Sequence, residues 1–141
     1  MSITPQCGEI IFVMAPSVGY RKYHICLGAN EHGTFLFLFL NSDNGYANDC
    51  IFPCSDFPSL APSSTRQSVV SFSMLPRFTT AQLDLHNAQS FGMIGKPVAQ
   101  ALRTHLESVK SLPRPDKKFA MAALDSRPDK KFAMAALDSI I

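Results

Sequence analysis

Upstream of residue 95, hydrophobic residues fall into short runs separated by turn-forming residues. Runs of this kind, bounded by Gly, Pro, Asn and Ser, predict β-strands. They lie at 9–14, 20–27, 35–40, 50–54, 68–74 and 91–94. Because the first three runs are close together and joined by short turns, they predict an antiparallel meander.

The third run is the most hydrophobic stretch of the chain, TFLFLFL at 34–40. It is much shorter than the roughly 20 residues that span a bilayer. Since no polar residue alternates with Phe and Leu, we expect both faces of this strand to be covered, or one face to pack in a dimer or against a loop. In the second run the alternation places Tyr23, Ile25 and Leu27 on one face.

After Pro97 the hydrophobic period changes to that of an amphipathic helix. Its apolar positions are Val98, Ala101, Leu102, His105, Leu106 and Val109. Before it, the Thr79 hydroxyl is a candidate N-cap for a short helical turn. Five or six short strands followed by a helix predict a mainly β protein with a C-terminal helix (α+β), built as a small barrel or a strongly bent sheet closed by the helix.

The chain ends in a thirteen-residue phrase, RPDKKFAMAALDS, that occurs twice in succession. Two short copies cannot form a repeat array, which needs about three or more longer units. Asp116 or Asp129 is a candidate N-cap of a short helix in its copy, and Pro128 interrupts any continuous helix. We therefore divide the chain into a barrel domain, 1–112, and a tail, 113–141, with the copies at 114–126 and 127–139. The tail is interpreted as a modifier of the domain.

The composition and net charge do not by themselves favour any particular class of function. The chain is 46% hydrophobic and 17% charged, and its net charge of +2 is too small to argue for nucleic-acid binding by itself. Any contact with RNA or DNA therefore depends on a local cluster of cations.

Cysteine usage favours a reducing compartment. Cys7, Cys26, Cys50 and Cys54 are spread along the chain, and no signal sequence precedes them. We expect free thiols in the cytoplasm rather than a disulfide framework. Cys50 and Cys54 lack the second ligand pair of a structural zinc site, so we interpret them as small hydrophobic residues and expect neither a metal nor a cofactor.

Several local phrases, taken in order, resemble the MazF/PemK family of toxin endoribonucleases and, more distantly, the CcdB-like gyrase toxins. The matching phrases are GEIIFV at 8–13, YRKYHICL at 20–27, Leu40-Asn41-Ser42, the strand at 68–75, GMIG at 92–95 and the helix to Leu112. The chain departs from the family at Lys22, where members usually carry Pro, and at Ser73-Met74, where many carry Asp-Gln. The resemblance implies an SH3-like barrel of five to seven antiparallel strands closed by a helix.

The resemblance also implies metal-independent cleavage of single-stranded RNA, with the ribose 2′-hydroxyl as the nucleophile. Arg21 is similar to the family's catalytic Arg, and its fork of donors suits a phosphate. Ser42 falls where the family has a Thr-Ser pair, and Asn41 takes that place if the register shifts by one. His24 is a candidate general base, although strand alternation places it on the face opposite Arg21, with Lys22 beside it.

Aromatic and basic residues around these positions are typical of single-stranded RNA binding, which stacks bases and neutralises phosphates. The RNA-binding candidates are Lys22, Tyr20, Asn41, Tyr46 and Arg77. The expected partners are single-stranded RNA, a cognate antitoxin and a second copy of the chain, with no membrane. Two alternatives remain: a non-catalytic toxin that inhibits a protein target such as DNA gyrase, and a relative that only binds a partner.

Overall fold

The protein is built on a curled antiparallel sheet, a half-barrel. The computed structural model describes residues 3–42, 49–62 and 65–125. Its strands are β1 Glu9–Ala15, β2 Tyr20–Ala29, β3 Phe35–Asn41, β4 Cys50–Pro53, β5 Gln67–Ser71, β6 Arg77–Phe78 and β7 Gln89–Met93. Within those ranges six strands lie in the order β4-β5-β3-β2-β1-β7, and β6 pairs with the beginning of β3. The mainly β architecture with a C-terminal helix is confirmed.

Three helices accompany the sheet: α1 Thr80–Leu85, α2 Lys96–Glu107 and α3 Arg114–Asp125. The predicted Thr79 cap is confirmed as a full capping box. Its Oγ1 accepts from the Gln82 backbone N–H at 3.2 Å, while the Gln82 Oε1 accepts from the Thr79 N–H at 2.9 Å. Because these bonds satisfy donors that a helix start leaves unpaired, they fix the entry into a helix of little more than one turn.

Both faces of β3 are covered, which confirms the first of the two expectations for this strand. One face, with Leu38 and Leu40, packs in a large cluster with α2 and α3. The other face, with Phe35 and Phe37, packs in a smaller cluster with Leu83 of α1. An apolar run without polar alternation is therefore explained by a central strand that has helices on both sides.

The first copy of the repeat forms α3 and belongs to the core. Ala120 and Leu124 are buried in the same cluster as α2 and the large face of the sheet. The helix begins at Arg114, so Asp116 lies inside its first turn and the prediction that Asp116 caps it is wrong. Packing is continuous across residue 112, where we drew the domain boundary. The second copy, with Asp129 and Pro128, lies outside the described residues.

Two further details differ from the sequence prediction. The predicted strand at 68–74 ends earlier, at Ser71; Val70 and Phe72 are buried, and Met74 lies beyond β5 with its side chain exposed. β6 was not predicted, because two residues are too few to show a period.

Candidate functional site

The pairing of β2 with β3 places Arg21 and Ser42 at the same end of the sheet. Tyr23 pairs with Leu40 in an antiparallel register. Continuing this register by two residues brings Arg21 opposite Ser42, on strands about 4.8 Å apart. Ser42 is exposed, and its backbone oxygen accepts a hydrogen bond from the Thr65 hydroxyl. The continued register therefore places the two positions opposite each other on adjacent strands, while the Arg21 guanidinium makes its hydrogen bonds on the β1 side of β2.

The Arg21 guanidinium also connects β2 to the segment after α1. Its Nη1 donates to the His86 oxygen at 2.8 Å, and its Nη2 donates to the oxygens of Asn87 at 2.9 Å and Phe12 at 3.2 Å. Asn87 has a left-handed backbone (φ 51°), a conformation that Asn adopts more readily than most residues. Arg21 is thus a fixed positive charge whose Nη donors already hold backbone oxygens.

An aromatic group lies beside Arg21, and two of its members, Phe12 and Phe91, were not singled out from the sequence. The ring centroids of Phe12 and Tyr23 are 4.6 Å apart, and the Phe91 ring lies 5.2 Å from that of Tyr23 and 6.0 Å from that of Phe12. The Arg21 Cζ lies 4.8 Å from the Phe12 centroid, within cation–π range. All three rings are half-buried. The sequence signal that could have found this group is the pairing of the runs 9–14 and 20–27, which places Phe12 across from Tyr23.

His24 lies on the opposite face of β2 and is fully buried. Its ring contacts Phe37, Phe39 and Phe78, with centroids 5.1 to 5.7 Å away. Nδ1 lies 2.9 Å from the Lys22 oxygen and must donate to it, because a carbonyl only accepts. Nε2 has no hydrogen-bond partner among the described residues. The structure does not bring His24 together with Arg21.

Burial lowers the pKa of His24 to about 4, although the backbone groups of Lys22 and Ile11 act in the opposite direction. His24 is therefore neutral at pH 7. Burial also lowers the pKa of Lys22, whose Nζ lies 4.6 Å from the Phe39 centroid and 6.0 Å from that of the exposed Tyr20. Lys22, His24 and Tyr20 thus form the other face of the same strand.

Arg77 lies far from this end of the sheet. It pairs with Leu36 near the start of β3, roughly 20 Å along the strand from Ser42. Its Nη2 donates to Asp116 Oδ1 of α3 at 2.6 Å. Asn41 pairs with Val69 in β5, at the end of β3 next to Ser42. Tyr46 lies outside the described residues.

The cysteines are free thiols, and burial raises the pKa of Cys26 to about 12. In the described ranges no group of three or more His, Cys, Asp or Glu side chains has a metal-binding arrangement. None of the helices there has the length and hydrophobicity needed to cross a membrane.

Comparisons with protein families, with curated proteins and with solved structures gave no match for this chain.

Proposed function

We propose that this protein is a metal-independent endoribonuclease that cleaves single-stranded RNA at specific sequences, acting as the toxin (mRNA interferase) of a type II toxin–antitoxin pair. The observation that supports the proposal is the β2–β3 register, which, continued by two residues beyond Tyr23 and Leu40, places Arg21 opposite Ser42. The rings of Phe12, Tyr23 and Phe91 beside Arg21 provide flat surfaces of the kind on which RNA bases stack.

The chemistry needs few groups. The ribose 2′-hydroxyl gives its proton to water as its oxygen attacks the adjacent phosphorus, and the bond from phosphorus to the 5′-oxygen breaks. The 5′-oxygen takes up a proton from water, so the products are a 2′,3′-cyclic phosphate and a 5′-hydroxyl. Arg21 supplies a fixed positive charge that stabilises the negative charge developing on the phosphate. Ser42 donates a hydrogen bond that orients a phosphate oxygen. We assign no general base, because His24 is buried on the opposite face.

The same proposal includes the finer features of this class. The half-barrel is the sheet of an SH3-like barrel, the active form is a homodimer in the cytoplasm, and a cognate antitoxin covers the end of the sheet that carries Arg21. Lys22, Tyr20, Asn41 and Tyr46 are the candidate RNA-binding residues around it. Arg77, which lies at the other end of β3 and pairs with Asp116, is left out of this group.

The test uses purified protein and a mixed RNA in a chelator, with the 5′ ends of the products mapped. Wild type is expected to give ends at a fixed base sequence. Ser42→Ala is expected to lower the cleavage rate by about 100-fold or more, as when one positioned hydrogen-bond donor to the transition state is removed. Because Ser42 is exposed and its backbone oxygen is retained, the thermal midpoint should not change. Arg77→Met is the control for an arginine remote from Ser42, and its cleavage rate per folded molecule should equal that of the wild type; its folded fraction is measured in parallel because Arg77 pairs with Asp116.

Arg21→Met is expected to lower the rate by about 100- to 1,000-fold, as when one stabilising donor is removed. Its folding has to be measured in parallel, since Arg21 also holds three backbone oxygens. RNA that stays intact with wild type at every sequence would exclude the nuclease assignment. Equal rates for wild type and Ser42→Ala would exclude Ser42.

A second candidate, a toxin that binds a protein target such as DNA gyrase without cleaving RNA, is favoured by the occupied Nη donors of Arg21. A purely structural arginine has this arrangement, because its donors face the chain rather than a ligand. Growth arrest with intact RNA, together with inhibition of purified gyrase, would support it over the nuclease.

A further inference from the structure

The surface that holds α3 recognises several side chains of the repeated phrase at once. Lys117 donates from Nζ to the oxygens of Val109 at 2.8 Å and Glu107 at 3.1 Å, next to the end of α2. Ala120 and Leu124 are buried in the main core. The ends of α3 are held by ion pairs, one from Asp116 to Arg77 at 2.6 Å and one from Asp125 to Arg103 at 3.1 Å.

A further contact comes from the N-terminal segment of the chain. The Cys7 Sγ donates to the Ala123 oxygen at 3.1 Å. Polar contacts at both ends, an apolar stripe between them and a thiol contact together define a site for one particular sequence. An unrelated amphipathic helix would satisfy the apolar stripe but not the charges at fixed positions.

Each of these contacting residues occurs again thirteen positions later in the chain. The equivalents are Asp129, Lys130, Ala133, Ala136, Leu137 and Asp138. The second copy therefore carries every side chain that the site contacts, in the same order and spacing. The side chains that the site contacts therefore do not distinguish the second copy from the first.

We propose that the two copies exchange in this site within one molecule, so that either 114–126 or 127–139 serves as α3. When the second copy is docked, the first copy becomes a loop that must leave and return at the end of the site. Closing a thirteen-residue loop lowers the equilibrium constant for docking the second copy, relative to the first, by roughly 50-fold, because the probability of loop closure falls with the 1.5 power of loop length. The first copy is therefore the main occupant, and the second is a built-in replacement.

The exchange is tested by a double-mutant cycle in the full chain: Leu124→Asp, Leu137→Asp and both together. A charged residue at the buried position of either copy prevents that copy from docking. With exchange, Leu124→Asp lowers the ratio of folded to unfolded protein by about 50-fold, the cost of the loop, because the second copy docks instead. Leu137→Asp alone should leave the ratio unchanged.

The double variant should lose far more than the sum of the two single variants. Truncating a buried leucine to alanine already lowers the ratio by roughly 30- to 5,000-fold, and a buried carboxylate adds to this. Without exchange, Leu124→Asp would lose as much as the double variant, and that equality overturns the proposal. A double variant that fails to fold while Leu124→Asp folds supports it.

Amide hydrogen exchange identifies the docked copy directly. The two copies have the same mass in the wild type, but in Leu124→Asp they differ, so peptides from each are distinguished. Protection is expected on 127–139 in Leu124→Asp and on 114–126 in Leu137→Asp. Protection on neither copy in Leu124→Asp overturns the proposal. So does a rescue that weakens on tenfold dilution, because the second copy would then be docking on another molecule.

Discussion

Lys117 of α3 lies 2.8 Å from the backbone oxygen of Val109, so one ammonium group joins the first repeat to the segment that follows α2. The same Nζ also reaches the oxygen of Glu107, the last residue of α2. Carbonyls at the end of a helix have no partner within the helix and carry a partial negative charge. Lys117 therefore satisfies acceptors that the helix cannot satisfy itself.

Replacing Lys117 should destabilise the protein while leaving the fold intact. We expect Lys117→Met to lower the free energy of unfolding by about 1 to 2 kcal/mol, the value of hydrogen bonds from a charged donor to a partly exposed site. This is less than the cost of bringing the second copy into the site, so the first copy remains docked. Lys118→Met, at an exposed neighbour, is the control and should change stability by less than about 0.5 kcal/mol. Equal losses in urea unfolding would contradict the assignment.

Replacing Arg21 with lysine should destabilise the protein. Lysine keeps the charge but lacks the fork that reaches Phe12, His86 and Asn87 together. We expect Arg21→Lys to lower the free energy of unfolding by about 1 to 3 kcal/mol. Arg66→Lys, at an exposed position, is the control and should be neutral. A stable Arg21→Lys protein would show that the three carbonyls do not depend on the guanidinium.

His24 should make stability depend on pH. Burial lowers its pKa in the folded protein to about 4, from 6.5 when unfolded. Between these values the unfolded chain binds a proton that the folded protein does not, so stability falls as pH decreases from 6.5 to 4. Neutral His24 contributes up to about 3 kcal/mol to the free energy of unfolding. This contribution is fully present above pH 6.5 and is lost as the pH falls toward 4.

The measurement compares wild type with His24→Phe, whose ring suits the surrounding Phe37, Phe39 and Phe78. Carboxyl groups titrate in the same range in both proteins, so only the difference between them reports on His24. Urea midpoints at pH 7.5 and pH 4.5 should diverge, with the wild type losing more. Parallel pH profiles would show that folding does not lower the pKa of His24.

Thr79 should be important for the position of the loop that holds Arg21. Loss of its capping box in Thr79→Ala is expected to cost about 1 kcal/mol. Thr80→Ala, one residue later inside α1, should be neutral or slightly stabilising, since alanine is a good helix former. Thermal unfolding of the two variants gives the comparison. The assignment of Thr79 as the cap would be wrong if Thr80→Ala were the more damaging change.

Much of the sheet was predictable because its hydrophobic periods are local. The covered faces of β3, the side on which Ile25 and Leu27 lie, and the cap at Thr79 all follow from neighbours in sequence. The relation between Arg21 and Ser42 needed the register of two strands, which the loop between them sets. The contacts of Arg21 with His86 and Asn87 join segments that are far apart in sequence, so no local pattern could show them.

The surface that α3 covers could not be predicted, for a related reason. A helix after the predicted boundary was expected, but its apolar stripe gives no indication of which surface it covers. Asp116 and Asp125 find Arg77 and Arg103 only once the sheet and α2 are assembled. The repeat was interpreted as an attachment, whereas its first copy supplies part of the core.

Because Ala120 and Leu124 are core residues, the order of synthesis matters for this chain. The main cluster spans Ile10 to Leu124, so its last side chains are synthesised only after the sheet and α2. During translation the apolar surface of the sheet and α2 that α3 covers therefore remains exposed until α3 has been synthesised. We expect a premature stop before Leu124 to yield a product that chaperones and proteases recognise.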